Sequence, residues 1–192
     1  MRPPSPSSTH TAASDRIAYI DGGSRGNPGP AGYGVVIQDV AGNTVDTLSK
    51  SIGKATNNVA EYHALLAALE HILEQNGQRL QVYCDSELVV RQMQGRYRVQ
   101  SADLKPLHER ARQLAKRLEH FAIQHIPREQ NRLADQLANE AMDHAGTDRA
   151  FTKPASVTTL IAVCEKGHLR PLSPGPALEE GAEYEVKLRK RS

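Results

Sequence analysis

The sequence predicts an α/β fold, a mixed sheet with helices packed on it, followed by a small all-β domain. Three observations predict it. Short alternating apolar segments open the chain, joined by Gly- and Asn-rich turns. Helical periodicity then alternates with short apolar runs as far as about residue 145. Beyond a polar, proline-containing stretch the helical period disappears.

Residues 17–22 read as the first strand, with Ile17, Tyr19 and Asp21 on one face, taken as the inward one. The run GGSRGNPGPAG that follows is turn chemistry. Residues 32–39 and 44–51 read as two strands of an antiparallel meander around Ala41-Gly42-Asn43. A helix is predicted from Asn58 to about Gln75, stopped by Asn76-Gly77. Residues 80–84 form a short buried strand, and 86–94 a helix that Asp85 or Ser86 can cap and Gly95 closes. A helix over 103–119, a strand over 121–126 and a helix over 129–145 complete a main domain spanning 15–146. Residues 147–156 read as a polar linker and 157–192 as a small β domain with strands at 157–165, 168–171 and 183–190. Residues 1–14, rich in Pro, Ser and Thr, read as a disordered tail.

Of the 192 residues 39% are hydrophobic and 24% charged, the balance of a soluble globular protein, and no apolar run approaches the ~20 residues that span a bilayer. The formal net charge of +2 permits a polyanionic partner without demanding one. The amino-terminal stretch has no apolar core of a secretory signal, so a cytoplasmic location is expected. Cys84 and Cys164 fall in separate expected domains, which speaks against a disulfide framework or a thiolate zinc site.

Four acidic residues stand where bland readings strain. Asp21 ends a strand face that carries Ile17 and Tyr19. Glu61 projects away from the polar side of its helix, which holds His63, Glu70, His71 and Glu74, and sits among Ala64, Leu65 and Ala68. A glutamate on a packed face needs a partner. Asp85 ends the strand LQVYC, at the strand end where ligands gather in α/β sheets. Asp135 lies at the edge of the stripe Leu133, Ala134, Leu137, Ala138, Ala141. If strands one and four are neighbours, Asp21 and Asp85 lie side by side, within reach of Glu61 and Asp135. Carboxylates so gathered repel, and divalent cations turn that cost into a binding site. All-oxygen ligation favours Mg²⁺ or Mn²⁺, and two such ions suit in-line phosphodiester hydrolysis.

The blocks DGGSRGNPGPAGYG, TNNVAEYHALLAAL, CDSELVV and REQNRLADQLAN, in this order, resemble the signatures of type 1 ribonuclease H over residues 16–144. The resemblance implies a ribonuclease H-like fold, a five-stranded mixed sheet of order 3-2-1-4-5 flanked by helices. It implies Asp21, Glu61, Asp85 and Asp135 as catalytic metal ligands. The implied activity is endonucleolytic hydrolysis of the RNA strand of RNA–DNA hybrids, leaving 3′-hydroxyl and 5′-phosphate ends. It further implies substrate contacts by Gly22, Gly23, Asn27, Thr56, Asn57 and Asn58, through which 2′-hydroxyls would distinguish RNA from DNA.

The chain departs from the best-known members in three places. The segment IPREQNRLAD is too short for the usual loop with its catalytic His, as in a compact prokaryotic subgroup, and Arg128 stands nearest to that role. The connection over 95–101 lacks the basic, Trp-rich helix that grips the DNA strand in many members, and the chain has no Trp; Arg96, Arg98 and Lys105 replace it only in part. Glu87 stands where Gln is common. The alternative function is a catalytically weak hybrid-binding module of the same fold. The segment LIAVCEKGHLRPLSPGPALEEGAEYEVKL resembles short prokaryotic β proteins proposed as antitoxins, which implies a small barrel-like unit and leaves monomer and dimer open. Double-stranded RNA is an open second partner class.

Overall fold

A computed structural model of the chain describes residues 15–143, 162–165 and 168–171. The chain divides into two compact units, Met1–Ala150 and Phe151–Ser192. The expected tail, linker and third carboxy-terminal strand lie outside the described residues.

In the first unit β1 (Asp15–Ser24), β2 (Gly29–Gln38) and β3 (Thr44–Ala55) form the meander. They are followed by α1 (Asn57–Glu74), β4 (Arg79–Cys84), α2 (Glu87–Met93), α3 (Leu104–Ala115), β5 (His120–His125) and α4 (Arg132–Asp143). The sheet has five strands in the order β3-β2-β1-β4-β5, antiparallel across the meander and parallel from β1 to β4 and from β4 to β5. This is the ribonuclease H-like order. In the second unit β6 (Ala162–Glu165) and β7 (His168–Pro171) pair antiparallel, with Glu165 opposite His168.

Local chemistry accounts for the boundaries. Thr56 caps α1 by accepting from the Val59 N–H at 3.4 Å, and Asn76 takes the left-handed conformation (φ 56°) beyond its end while the Gly77 N–H returns to the Ile72 carbonyl at 2.8 Å. Ser86, not Asp85, caps α2, accepting from the Val89 N–H at 3.5 Å. That leaves the Asp85 carboxylate free of the helix end.

Four details correct the sequence reading. First, the glycine-rich run is mostly strand: β1 continues through Ser24 and β2 begins at Gly29, so only residues 25–28 turn. Glycines serve these strands because helix backbones press on them. Second, the fully buried residues of β1 are Ala18 and Ile20, packed with α1 in the main core; Ile17 and Tyr19 are only half-buried on the other face. Third, α3 is shorter than expected at both ends, and α4 begins at Arg132, because residues Arg128–Gln130 make a single 3-10 turn. Fourth, Leu133 is not part of the buried stripe but 48% exposed, the stripe being Ala134, Ala138, Ala141 and Met142.

Helix α1 covers one face of the sheet, joined by α3, and α4 covers the other. The α4 contact depends on small residues on both sides. A Cβ on Gly32 would stand 2.8 Å from the Ala141 Cβ, and one on Gly34 would stand 2.3 Å from the Ala134 carbonyl oxygen. Between α1 and α2, the buried Tyr62 hydroxyl donates to Gln92 Oε1 at 2.8 Å. Tyr62→Phe should cost ~1–2 kcal/mol in urea denaturation, since it strands the Gln92 acceptor away from water; an unchanged midpoint would mean the bond contributes nothing net. Among the described residues no helix is long and apolar enough to cross a membrane.

Candidate active site

The parallel register places Ile20 opposite Cys84, so Asp21 and Asp85 are the next residues of two adjacent strands and lie level with each other. Asp21 also pairs across β2 with Gly34. Two glycine contacts then bring up the helices. A Cβ on Gly22, the neighbour of Asp21, would stand 2.2 Å from the Ala60 carbonyl carbon and 2.3 Å from the Glu61 nitrogen. At Gly34 the approaching backbone is that of Ala134, beside Asp135. Each glycine lets a helix settle on the sheet at the residue that carries, or adjoins, an acidic side chain.

Asp21 and Glu61 are both buried, at 8% exposure. Burial pushes the Asp21 carboxyl up to about 7, and the charges of Asp85 and Asp135 add to the rise; Arg128 and the Gly22 N–H oppose it. Burial likewise raises Glu61 to about 8, assisted by Asp21 and Asp85 and opposed by the Ser86 and Asn57 side chains. The Asn57 amide donates to Glu61 Oε1 at 2.8 Å, whereas Oε2 is buried without a hydrogen-bond partner. Asp85 and Asp135 are half-buried. The Asn131 amide donates to Asp85 Oδ1 at 3.1 Å, and Arg128 pairs with Asp135 Oδ1. Among the described residues no three His, Cys, Asp or Glu side chains form a ready-made ion cage.

A divalent cation fits this donor set. The donors are hard oxygens, one of them without a partner in the interior, and burial raises two of the carboxyls, a cost that a divalent cation would offset.

The Reverse transcriptase-like family matches residues 19–141. The bifunctional protein Rv2228c of Mycobacterium tuberculosis is 47% identical over 161 residues, 83% of this chain but 42% of its own length. Ribonuclease HI of Halobacterium salinarum is 44% identical over 128 residues, 67% of this chain and 64% of its own. The crystal structure of LC11-RNase H1 in complex with RNA/DNA hybrid is 47% identical, with a TM-score of 0.65, covering 69% of this chain and 100% of that one. The chain belongs to the ribonuclease H family. It is of the compact prokaryotic type, and it spans under half the length of the mycobacterial relatives it matches.

Within this ribonuclease H-like unit Gly22, Asn27, Thr56, Asn57 and Asn58 lie around the start of α1. Asn27 Oδ1 accepts from the Asn57 N–H at 3.2 Å, tying the β1–β2 turn to the start of α1, where Thr56 and Asn58 are half-buried. Gly22 is packed under α1, whereas a Cβ on Gly23 would meet only the tip of Met142, at 2.9 Å. Arg128 lies at the carboxylates; His125 is exposed at the end of β5. Glu87 is taken up by Arg91, whose Nε donates to it at 2.9 Å.

One residue escaped the sequence reading. Asn131, 1% exposed, donates both to Asp85 and to the Ile20 carbonyl, the latter at 2.8 Å, so it fixes Asp85 against β1. In the sequence it falls inside the helix expected over 129–145 and within the block REQNRLADQLAN, with nothing to set it apart from a solvated helix residue. Asn131→Ala should lose ~1–3 kcal/mol of stability in urea denaturation and reduce cleavage at least tenfold, because it strands a carbonyl and frees Asp85. Full retention of both would show that Asp85 is held by other means.

Proposed function

We propose that the protein is a metal-dependent endoribonuclease that cuts the RNA strand of RNA–DNA hybrids. The observation that carries this is the buried Asp21–Glu61 pair, with the unpartnered Glu61 Oε2, set beside Asp85 and Asp135 in a ribonuclease H fold. Asp21, Glu61, Asp85 and Asp135 would hold two Mg²⁺ or Mn²⁺ ions. When bound, such ions supply Lewis-acid activation of water and stabilisation of the leaving oxygen.

The chain's own residues do the rest. Asp21 within β1 and Asp85 just beyond β4 lie level on adjacent strands and would fix the point of reaction; Glu61 and Asp135 would reach it from opposite faces of the sheet. Asn131 and Asn57 orient Asp85 and Glu61 through their amides. Arg128 supplies a positive charge beside the phosphate's path and is the candidate for the catalytic His of longer members. The β1–β2 turn and the start of α1, with Gly22, Gly23, Asn27, Thr56, Asn57 and Asn58, form a polar edge for the minor groove, where peptide groups and amides can pair with 2′-hydroxyls. Support for the hybrid as partner comes from the LC11 relative, whose solved complex contains one.

The test is a labelled hybrid incubated with Mg²⁺ or Mn²⁺. Cleavage of the RNA strand to 3′-hydroxyl and 5′-phosphate ends, abolished by chelation, is expected. No cleavage at any salt or metal concentration would sink the proposal, and tight hybrid binding without turnover would select the binding-module alternative. The same assay on duplex RNA decides the second partner class. Sedimentation with and without residues 157–192 decides between a monomer and a dimer formed through that segment.

A further inference from the structure

We infer that Arg128 is a resident counter-ion, holding Asp135 until a divalent cation takes it, so that metal loading and release of Arg128 are one coupled event. This rests on reading Asp135 as a metal ligand. Arg128 sits in the 3-10 turn Arg128–Gln130, between β5 and α4, and its guanidinium pairs with Asp135 Oδ1. The other oxygen, Oδ2, accepts from the Asn139 amide at 3.3 Å. Both oxygens of Asp135 therefore already have a partner in the chain, and an ion approaching Oδ1 meets the positive charge of the guanidinium there.

The carboxylate partners differ in how readily they yield. Asn131 is 1% exposed and also bound to the Ile20 carbonyl, so it cannot leave Asp85 without stranding a backbone acceptor. Asn57 is neutral, uses an amide against Glu61, and leaves the second oxygen of that carboxylate open. Arg128 alone is charged, and its side chain is 72% exposed against 26% for Asp135. A guanidinium so placed returns to water at little cost. Its charge also reaches Asp21 and Asp85 and offsets their mutual repulsion. It thus does for the metal-free site part of what a cation does, and a cation must compete with it.

The experiment is calorimetric titration of Mn²⁺ into the metal-free full-length chain without nucleic acid. Arg128→Ala is expected to bind Mn²⁺ about three- to tenfold more tightly than the wild type. A distant field effect would give a similar gain, so the same change is made in an Asp135→Asn background, where the gain should shrink to about twofold or less. Unchanged or weaker Mn²⁺ binding by Arg128→Ala overturns the inference, as does an undiminished gain without the Asp135 carboxylate. If neither wild type nor Arg128→Ala binds Mn²⁺, the counter-ion role falls together with the metal site. Tight Mn²⁺ binding without hybrid cleavage strikes only the proposed activity.

Discussion

Replacing Asp21 with Asn is expected to extinguish metal-dependent cleavage while making the metal-free protein more stable. The two effects have one cause. Asp21 is 8% exposed, and its carboxyl is raised to about 7 from an ordinary 3.8, by burial first and then by Asp85 and Asp135. The folded chain therefore holds that proton more tightly than the unfolded chain does. The resulting stability is fully present below about pH 4 and is lost as the pH rises toward 7. At ~1.4 kcal/mol per pH unit, the ionised carboxylate costs a few kcal/mol at neutral pH without a cation. Asn cannot ionise and escapes that cost.

The check is thermal or urea denaturation with a chelator present. Asp21→Asn should exceed the wild type at pH 8, and the gap should close near pH 4. Added Mn²⁺ should then raise the wild type far more than the variant, since a ligand stabilises only the fold that binds it. Cleavage should fall by at least ~10³-fold, the scale on which losing one charge-stabilising group acts. A variant no more stable than the wild type at pH 8 would mean that the buried carboxylate is already neutralised from within, and the case for a cation site would lose its main support.

Gly22→Ala is expected to be nearly as damaging although it adds one methyl group. That methyl would stand 2.2 to 2.5 Å from backbone atoms of Ala60 and Glu61, closer than any real Cβ contact, and a helix backbone cannot swing aside as a side-chain tip does. Helix α1 must move off β1 and carry Glu61 with it. Overpacking of this kind costs ~1–3 kcal/mol, and a ~1 Å misplacement at a reacting centre costs about 100-fold in rate. Gly34→Ala should do the same through α4, displacing Asp135, because its added carbon meets the Ala134 carbonyl oxygen at 2.3 Å. Gly23→Ala is the internal control, meeting only the flexible Met142 tip. It should stay within ~0.5 kcal/mol of the wild type.

The kinetic signature separates two roles for Gly22. If the glycine matters through substrate approach alone, Gly22→Ala raises KM and leaves stability untouched. If it matters as a seat for α1, kcat and the denaturation midpoint fall together. The geometry points to the second outcome.

Much of this was legible in the primary structure because it is written in local chemistry. Alternation and helical period mark β1 through α4, since pleat and helix each repeat over a few residues. The family blocks also carried the sheet order, and they named the acidic residues to suspect. Local pattern misled where backbone meets backbone. The glycine run reads as turn because glycine is permissive, yet most of it is strand, chosen for the room a missing side chain leaves to α1 and α4. Leu133 reads as core by its spacing but faces water, because α4 rests on its alanines.

By itself, then, the sequence determined the elements, the class of the fold and which acidic residues to suspect. Only the tertiary structure decided who holds them: Asn131 on Asp85, Arg128 on Asp135, Asn57 on Glu61, with one Glu61 oxygen left over. The physical reason is range. Periodicity and capping act between residues a turn or a strand apart, whereas burial and charge depend on segments far apart in the chain, whose meeting is set by how closely two helices can press on a sheet.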